Sequence, residues 1–282
     1  MALLDFLNKR GTTTTGEMSF IDHLEELRWH IIRSVIAVLV GAIAVFIYIK
    51  PIVKYVLFAP TRPDFVSTQW LCKLGQAIGT NAMCFPGVTA NFLENKMTGQ
   101  FISSITLAFV GGFVVAFPYV FWEFWKFVRP ALNQKELRKT SGVIFWVSLL
   151  FFMGVAFGYY ILTPFMVNFY FNYSLSDQIK IMPTFSDYLE NLIWTTVGIG
   201  VLFQMPLLMM LLTRIGILTG RFLKQYRRHA FVIILIAAAI ITPSTDPFSL
   251  TLVTIPLYGL YEASIVLASR IDKAKAKQDE WS

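Results

Sequence analysis

The stretch FIDHLEELRWHIIRS, residues 20–34, sets three acids, two arginines and two histidines directly against the apolar run SVIAVLVGAIAVFIYI. Phe20, Leu24, Leu27 and Ile31 recur at helical spacing and mark one apolar face, so Asp22, Glu25, Glu26 and Trp29 turn elsewhere. Glu25 can pair with Arg28, and Glu26 faces His30 one turn on; on a solvated helix such pairs contribute about 0.3 kcal/mol each. Three acids beside two arginines leave carboxylate capacity over, and a guanidinium, which a carboxylate can grip bidentately, suits it. A second carboxylate occurs in FWEFWKFVRPALNQKELRK, where Pro130 starts a short helix carrying Glu136. Glu136 fits either a solvated loop position among lysines or a cation contact. Glu123, inside the aromatic belt of the same segment, is either snorkelling or buried and paired.

Other polar residues fall at membrane depth, where an ionisable group is costly and usually functional. Gln204 precedes Pro206 in VLFQMP and either packs between helices or meets a polar group on a partner span. Glu262 interrupts the last apolar run and Asp246 sits in the turn before it; with Glu123 and Gln204 they form the candidate intramembrane contacts. Enzyme chemistry has no foothold, since GxxxxGK, HExxH and GxSxG are all missing, and neither catalytic residues nor a cofactor are expected. The two cysteines, Cys72 and Cys84, share one long loop. On the oxidising side of a membrane they read as a disulfide, with two unlinked buried thiols as the alternative, and two thiols alone make a poor metal site.

These residues need a scaffold, and the composition names its solvent. With 56% hydrophobic residues and a mean hydropathy of +0.60, the 282-residue chain belongs in a bilayer. Strong candidate spans lie near 31–49, 101–122, 142–167 and 191–213; weaker ones run from His229 to Thr242 and from Phe248 to Ala268. The first weak run spans only about 21 Å as a helix. A buried hairpin that never crosses would also fit the weak pair, but the expected fold is an all-α integral membrane protein of six transmembrane helices, some of them short. Pro118, Pro164, Pro206 and Pro256 predict kinks and a concave array of helices. With six spans, the N-terminus, the 126–140 and 214–228 loops and the tail hold 18 of the 24 Lys and Arg, which places both termini in the cytoplasm. The +7 net charge is then a topology signal and not a nucleic-acid footprint. The chain reads as one polytopic domain: a cytoplasmic amphipathic N-terminus over 1–33, an external loop over 50–100 and a cytoplasmic tail over 269–282. No cleavable signal peptide is expected ahead of the first span.

HLEELR at 23–28, FWEFWKFVRPAL followed by KELR, GYYILTPF at 158–165, VLFQMPLLMMLL at 201–212 and ITPSTDPFSLTLVTIPLYGLYE at 241–262 together resemble the TatC family, the multispanning core of the twin-arginine protein translocase. The likeness runs from about Ser19 to Arg270, in the same order throughout. It implies a receptor, in the bacterial inner membrane, for signal peptides with paired arginines on proteins exported folded. It also implies a hetero-oligomeric complex with the single-span TatA and TatB proteins, driven by the proton motive force. The family's peptide contacts fall on Glu26 and Glu136, with Arg28 and Arg138 holding the carboxylates and Phe127 lining the floor. The chain departs from many members at Gln204, where they carry a glutamate, and its cysteine-bearing loop is an insertion. The rival readings are a secondary transporter of small solutes using Gln204, Glu262 and Glu190, against which no internal repeat is evident, and a purely structural scaffold.

Overall fold

A computed structural model describes residues 20–77, 79, 84, 92–128, 142–176, 178, 182–242 and 247–279, with the backbone alone for 20–24, 74, 247–248 and 277–279. Nearly all of these residues are helical. Among them no β-strand forms beyond an isolated parallel bridge between Leu93 and Thr184. In chain order the helices are α1 Phe20–Ile47, α2 Ile49–Ile52, α3 Val66–Ala77, α4 Gly99–Val128, α5 Val143–Phe157 and α6 Thr163–Asn172. They continue with α7 Phe185–Leu202, α8 Met205–Ile215, α9 Gly220–Gln225, α10 Arg227–Ile241 and α11 Pro247–Asp279. Segments as rich in Val, Ile and Phe as α1 and α4 favour strands in water. In lipid each backbone N–H and C=O must be satisfied within its own segment, so the helix wins over β-propensity.

Among the described residues five helical stretches are long and apolar enough to cross a bilayer: Glu25–Ile47, Gly99–Val128, Val143–Asn172, Phe185–Ile215 and Ser249–Ala276. The expected sixth, α10, has 15 residues, or about 22 Å, and falls short of a roughly 30 Å hydrocarbon core. It packs on α11 as the short arm of a hairpin. The prolines divide into two kinds. Helix α4 runs unbroken through Pro118 and α11 through Pro256. By contrast, a π-helical turn over Gly158–Leu162 precedes Pro164, and Phe203–Gln204 break the helix just before Pro206. Thr163 Oγ1 donates to the Gly158 carbonyl at 3.0 Å, satisfying an acceptor within the π turn.

Among the described residues three apolar clusters hold the helices together. Ile199, Phe203, Ile234, Val253, Leu257 and Tyr261 join α7, α10 and α11. Phe117 and Phe151 stack at 3.6 Å between α4 and α5. Near the loop that follows α2, Leu57, Met166, Tyr188 and Leu192 are buried together, with the Tyr188 hydroxyl donating to the Leu57 carbonyl at 2.6 Å. Helix α1 stands apart from these. Only 6% of its apolar stretch is buried, and it packs almost wholly along α4. There the backbones touch: a Cβ on Gly112 would lie 2.4 Å from Ala42 N and 2.8 Å from Val38 O, and one on Gly41 would lie 2.8 Å from Gly112 O. Small residues at a crossing allow this approach, and the van der Waals contact replaces a hydrophobic driving force that lipid does not supply.

The loop before α4 is tied to the start of α7. Leu93 N–H donates to Pro183 O at 3.1 Å and Phe185 N–H to Leu93 O at 2.8 Å. Thr184 caps α7 by accepting from Asp187 N–H at 3.1 Å. Ser186 Oγ donates to Glu94 Oε2 at 2.7 Å, and this bond, opposed by partial desolvation, holds the Glu94 carboxyl below its ordinary range.

Two outcomes are expected. Gly112→Ala should lower stability in detergent by about 1–3 kcal/mol, because the obstacle is rigid backbone. Gly259→Ala, whose Cβ would meet nothing within 4 Å, should be neutral or stabilising in the same thermal unfolding series. Glu94 has a depressed folded-state pKa, so its contribution is present above the unfolded value of about 4.3 and is lost as pH falls through the folded value. Acidification below about pH 4.3 should therefore speed hydrogen exchange at the Leu93 and Phe185 amides. In Ser186→Ala the folded value moves back toward the unfolded one, so this pH-dependent loss should shrink; an unchanged profile would rule out the Ser186 bond as its cause.

Candidate functional site

At the end of the bundle where α1 begins, the α1–α4 contact brings together residues 93 apart in sequence. His30 Nδ1 lies 2.5 Å from Glu123 Oε2, so the ring donates its Nδ1–H and presents Nε2 on the other side. Glu123 is 1% exposed, a depth at which a lone carboxylate would be prohibitive. It is satisfied three ways: by His30, by Lys126 Nζ at 3.5 Å from Oε1, and by the Tyr119 hydroxyl. Lys126 also sits over the Trp122 ring, 3.6 Å from its centroid. The Phe127 ring meets His30 edge-on at 6.4 Å.

Glu26 differs from Glu123 in each respect that bears on ligand binding. Its side chain is 38% exposed, and its ion-pair contact is the loose 3.9 Å approach of Oε1 to His30 Nε2. Helical pitch places it one turn before His30, and Arg28 beside it is exposed. The arrangement is a buried carboxylate fully engaged with a histidine and a lysine, with a half-exposed carboxylate above it that keeps accepting capacity. Such a pair of layers can take an incoming cation at the upper level without disturbing the lower one. Glu136 and Arg138, expected to complete the site from the next loop, lie outside the described residues, as does Asp246.

The other polar candidates part ways. Glu262 is paired within the chain: Arg227 Nη2 donates to Oε2 at 2.6 Å and the Tyr258 hydroxyl to Oε1 at 3.1 Å. It is a link between α10 and α11. Glu190 is exposed near the start of α7. Gln204 occupies the break between α7 and α8. Its Nε2 donates to the Val147 carbonyl at 3.3 Å, while Oε1 is buried with no hydrogen-bond partner among the described residues. The amide borders two apolar cavities, one of about 490 Å³ with Phe121, Trp125, Leu208 and Ile234 in its wall, the other of about 340 Å³ against Trp146 and Leu150. Cys72 and Cys84 are joined as a disulfide. Among the described residues no group of three His, Cys, Asp or Glu could hold a metal ion.

Sequence spacing marked Glu26, Gln204 and the ambiguity of Glu123, but not the partner that resolves it. His30 carries no local signal for a bond to a residue 93 positions away. Arg227 as partner of Glu262 was equally invisible, because the pair lies 35 residues apart and is formed by the packing of α10 on α11.

Residues 22–256 match the family described as Sec-independent protein translocase protein (TatC). The TatC protein of Blattabacterium sp. subsp. Periplaneta americana is 38% identical over 262 residues, which cover 92% of this chain and 98% of that protein. The TatC protein of Deinococcus radiodurans is 32% identical over 259 residues, 92% of this chain and 88% of that one. Among solved structures, a crystal structure of the twin-arginine translocase receptor TatC superposes with a TM-score of 0.65 at 28% identity, covering 89% of this chain and 99% of that chain. The match in sequence spans both the α1–α4 end with its carboxylates and the broken helix at Gln204, and the fold agrees over the same length. This chain is a multi-helix membrane protein of the TatC family of Sec-independent protein translocase components.

Proposed function

We propose that this chain is the signal-peptide receptor and core of a twin-arginine translocase in a bacterial inner membrane, with both termini in the cytoplasm. It recognises paired arginines on proteins exported folded, works with TatA and TatB in a hetero-oligomeric complex, and is driven by the proton motive force. The observation that carries this reading is the unequal state of the two carboxylates at the start of α1: Glu123 is buried and fully bonded, and Glu26 is half-exposed with capacity to spare. Glu136, with Arg28 and Arg138 around the carboxylates and Phe127 beneath, completes the cation site. The charge balance supports the orientation, since the same end of the helices collects most Lys and Arg. The apolar part of a signal peptide follows the surface of α1 into lipid, where that helix is uncovered on most sides. Solute transport through Glu262 finds no support, because Arg227 and Tyr258 already engage that carboxylate.

Gln204 takes the place of a partner-helix contact. The free Oε1 beside an apolar cavity favours a donor carried by another span.

Replacing Glu26 and Glu136 together by lysine should abolish binding of a twin-arginine peptide to purified, folded protein, and changing both peptide arginines to lysine should also weaken it. Unchanged affinity in the double variant would sink the assignment. Each single alanine change should weaken binding by about 1.5–3 kcal/mol. For the partner contact, Gln204→Glu should keep assembly and export, since a protonated carboxyl donates and accepts as the amide does. Gln204→Leu should lower copurification of a single-span partner by roughly 1 kcal/mol. Wild-type recovery and export with leucine would show that the amide only packs.

A further inference from the structure

Helix α3 belongs to the cysteine-bearing loop and has no part in the site described above. Its inner face is fixed. Thr68 and Gly75 are buried, Phe65 just ahead of it stacks on Tyr160 at 5.8 Å and meets Tyr159 edge-on at 5.7 Å, and Cys72 is bridged to Cys84. Its outer face is uncovered: Val66 is 73% exposed and Trp70 65%. At about 100° per residue, Val66, Trp70 and Ala77 fall within roughly 40° of one another, while Gln69, Lys73 and Gln76 follow along one flank. Thr68 and Gly75 point the opposite way. The exposed side of α3 thus has an apolar edge and a polar edge.

The height of α3 along the bundle is set by its attachment. Tyr160 lies 17 residues beyond Val143 in an unbroken helical path, about 26 Å, which brings it to the far edge of a roughly 30 Å hydrocarbon core. From His30 in the polar layer to Tyr48, just past the end of α1, is about 27 Å by the same measure. Tyr48 and Tyr55 are exposed at this level, Lys54 sits 5.2 Å from the Tyr55 ring, and the Tyr159 hydroxyl donates to Val56 O at 2.6 Å. An exposed tyrosine belt with a lysine beside it marks a membrane–water boundary. Phe65 ties the head of α3 to Tyr159 and Tyr160 at this level, and Trp70 follows five residues later on the exposed side of the helix.

We propose that α3 is an interfacial anchor. Val66 and Trp70 lie in the boundary between headgroups and acyl chains of the leaflet nearest the 48–98 loop, with Lys54 and Lys73 against lipid phosphates. The Phe65 stack and the Cys72–Cys84 bridge hold the helix in the membrane plane. The occupant of this surface is lipid and not a protein, because the exposed apolar strip of Val66, Trp70 and Ala77 is narrow and grades into Gln69, Lys73 and Gln76 along one flank. That pattern fits the steep polarity gradient of a headgroup layer better than a helix-sized groove.

The full chain, with its disulfide intact, would carry a ketone-linked spin label at 66, 69, 70 or 76 in turn, in vesicles of phosphatidylethanolamine and phosphatidylglycerol. Collision with oxygen should dominate at 66 and 70, and collision with a water-soluble nickel chelate at 69 and 76, giving at least a several-fold reversal of the ratio within one helical turn. Nickel access at all four sites would put α3 in water and overturn the proposal. Protection from both reagents at all four would mean a protein covers the face, and would overturn it too. All four positions are exposed, so labelling does not threaten the fold, and peptide binding at the opposite end of the bundle gives an independent measure of integrity.

Discussion

The contact between the backbones of α1 and α4 at Gly41 and Gly112 governs the functional end of the molecule. Helix α1 leans on α4 almost alone, so the angle and depth of that crossing decide where its first turns lie. A crossing without side chains between the helices leaves little freedom of height. The start of α1 then delivers His30 to Glu123 and holds Glu26 one turn above it. A bulkier crossing would separate the helices and strand Glu123 in an apolar layer without its histidine.

Two acids within the bundle, buried Glu123 and partly buried Glu262, are each bonded from a second helix. Glu123 on α4 takes His30 from α1, and Glu262 on α11 takes Arg227 from α10. The same economy of polar groups operates at helix ends. Lys275 of α11 donates to the Thr213 and Arg214 carbonyls at 3.2 and 2.8 Å, satisfying acceptors at the end of α8 where Gly216 turns the chain with φ 91°. Asp272 accepts from Gly220 N–H at 2.7 Å at the start of α9. The long last helix therefore acts as a brace for the α8–α9 turn. Gln204, an amide half satisfied in its own chain and bordering an apolar cavity, stands out as a contact for another.

Much of this was legible in the residues. Apolar runs gave the long helices, and the HLEELR stretch gave the surface carboxylate. Three things were not. Proline positions do not tell where a helix is interrupted: α4 and α11 run on through Pro118 and Pro256, whereas the helix breaks just before Pro206. The length of α10 was readable from its composition, yet whether so short a helix crosses depends on the local thickness of the bilayer, which no residue encodes. The His30–Glu123 and Arg227–Glu262 pairs are products of helix packing, and each partner alone reads as an ordinary interfacial residue.

The π turn at Gly158–Leu162 alters what the chain tolerates by way of inserted or deleted residues. An ordinary transmembrane helix that gains or loses one residue turns everything beyond it by about 100°, exchanging the lipid face for the packed face. Here one surplus residue is already absorbed, with the Thr163 hydroxyl serving an acceptor inside the wide turn. Removing a residue within 158–162 could restore normal pitch locally without turning α6, so Met166 and Val167 would stay against Leu57 and Tyr188. Removing one from α5 has no such reserve: it would rotate Phe151 away from Phe117. The span is thus divided into a half where length can drift over evolutionary time and a half where it is fixed.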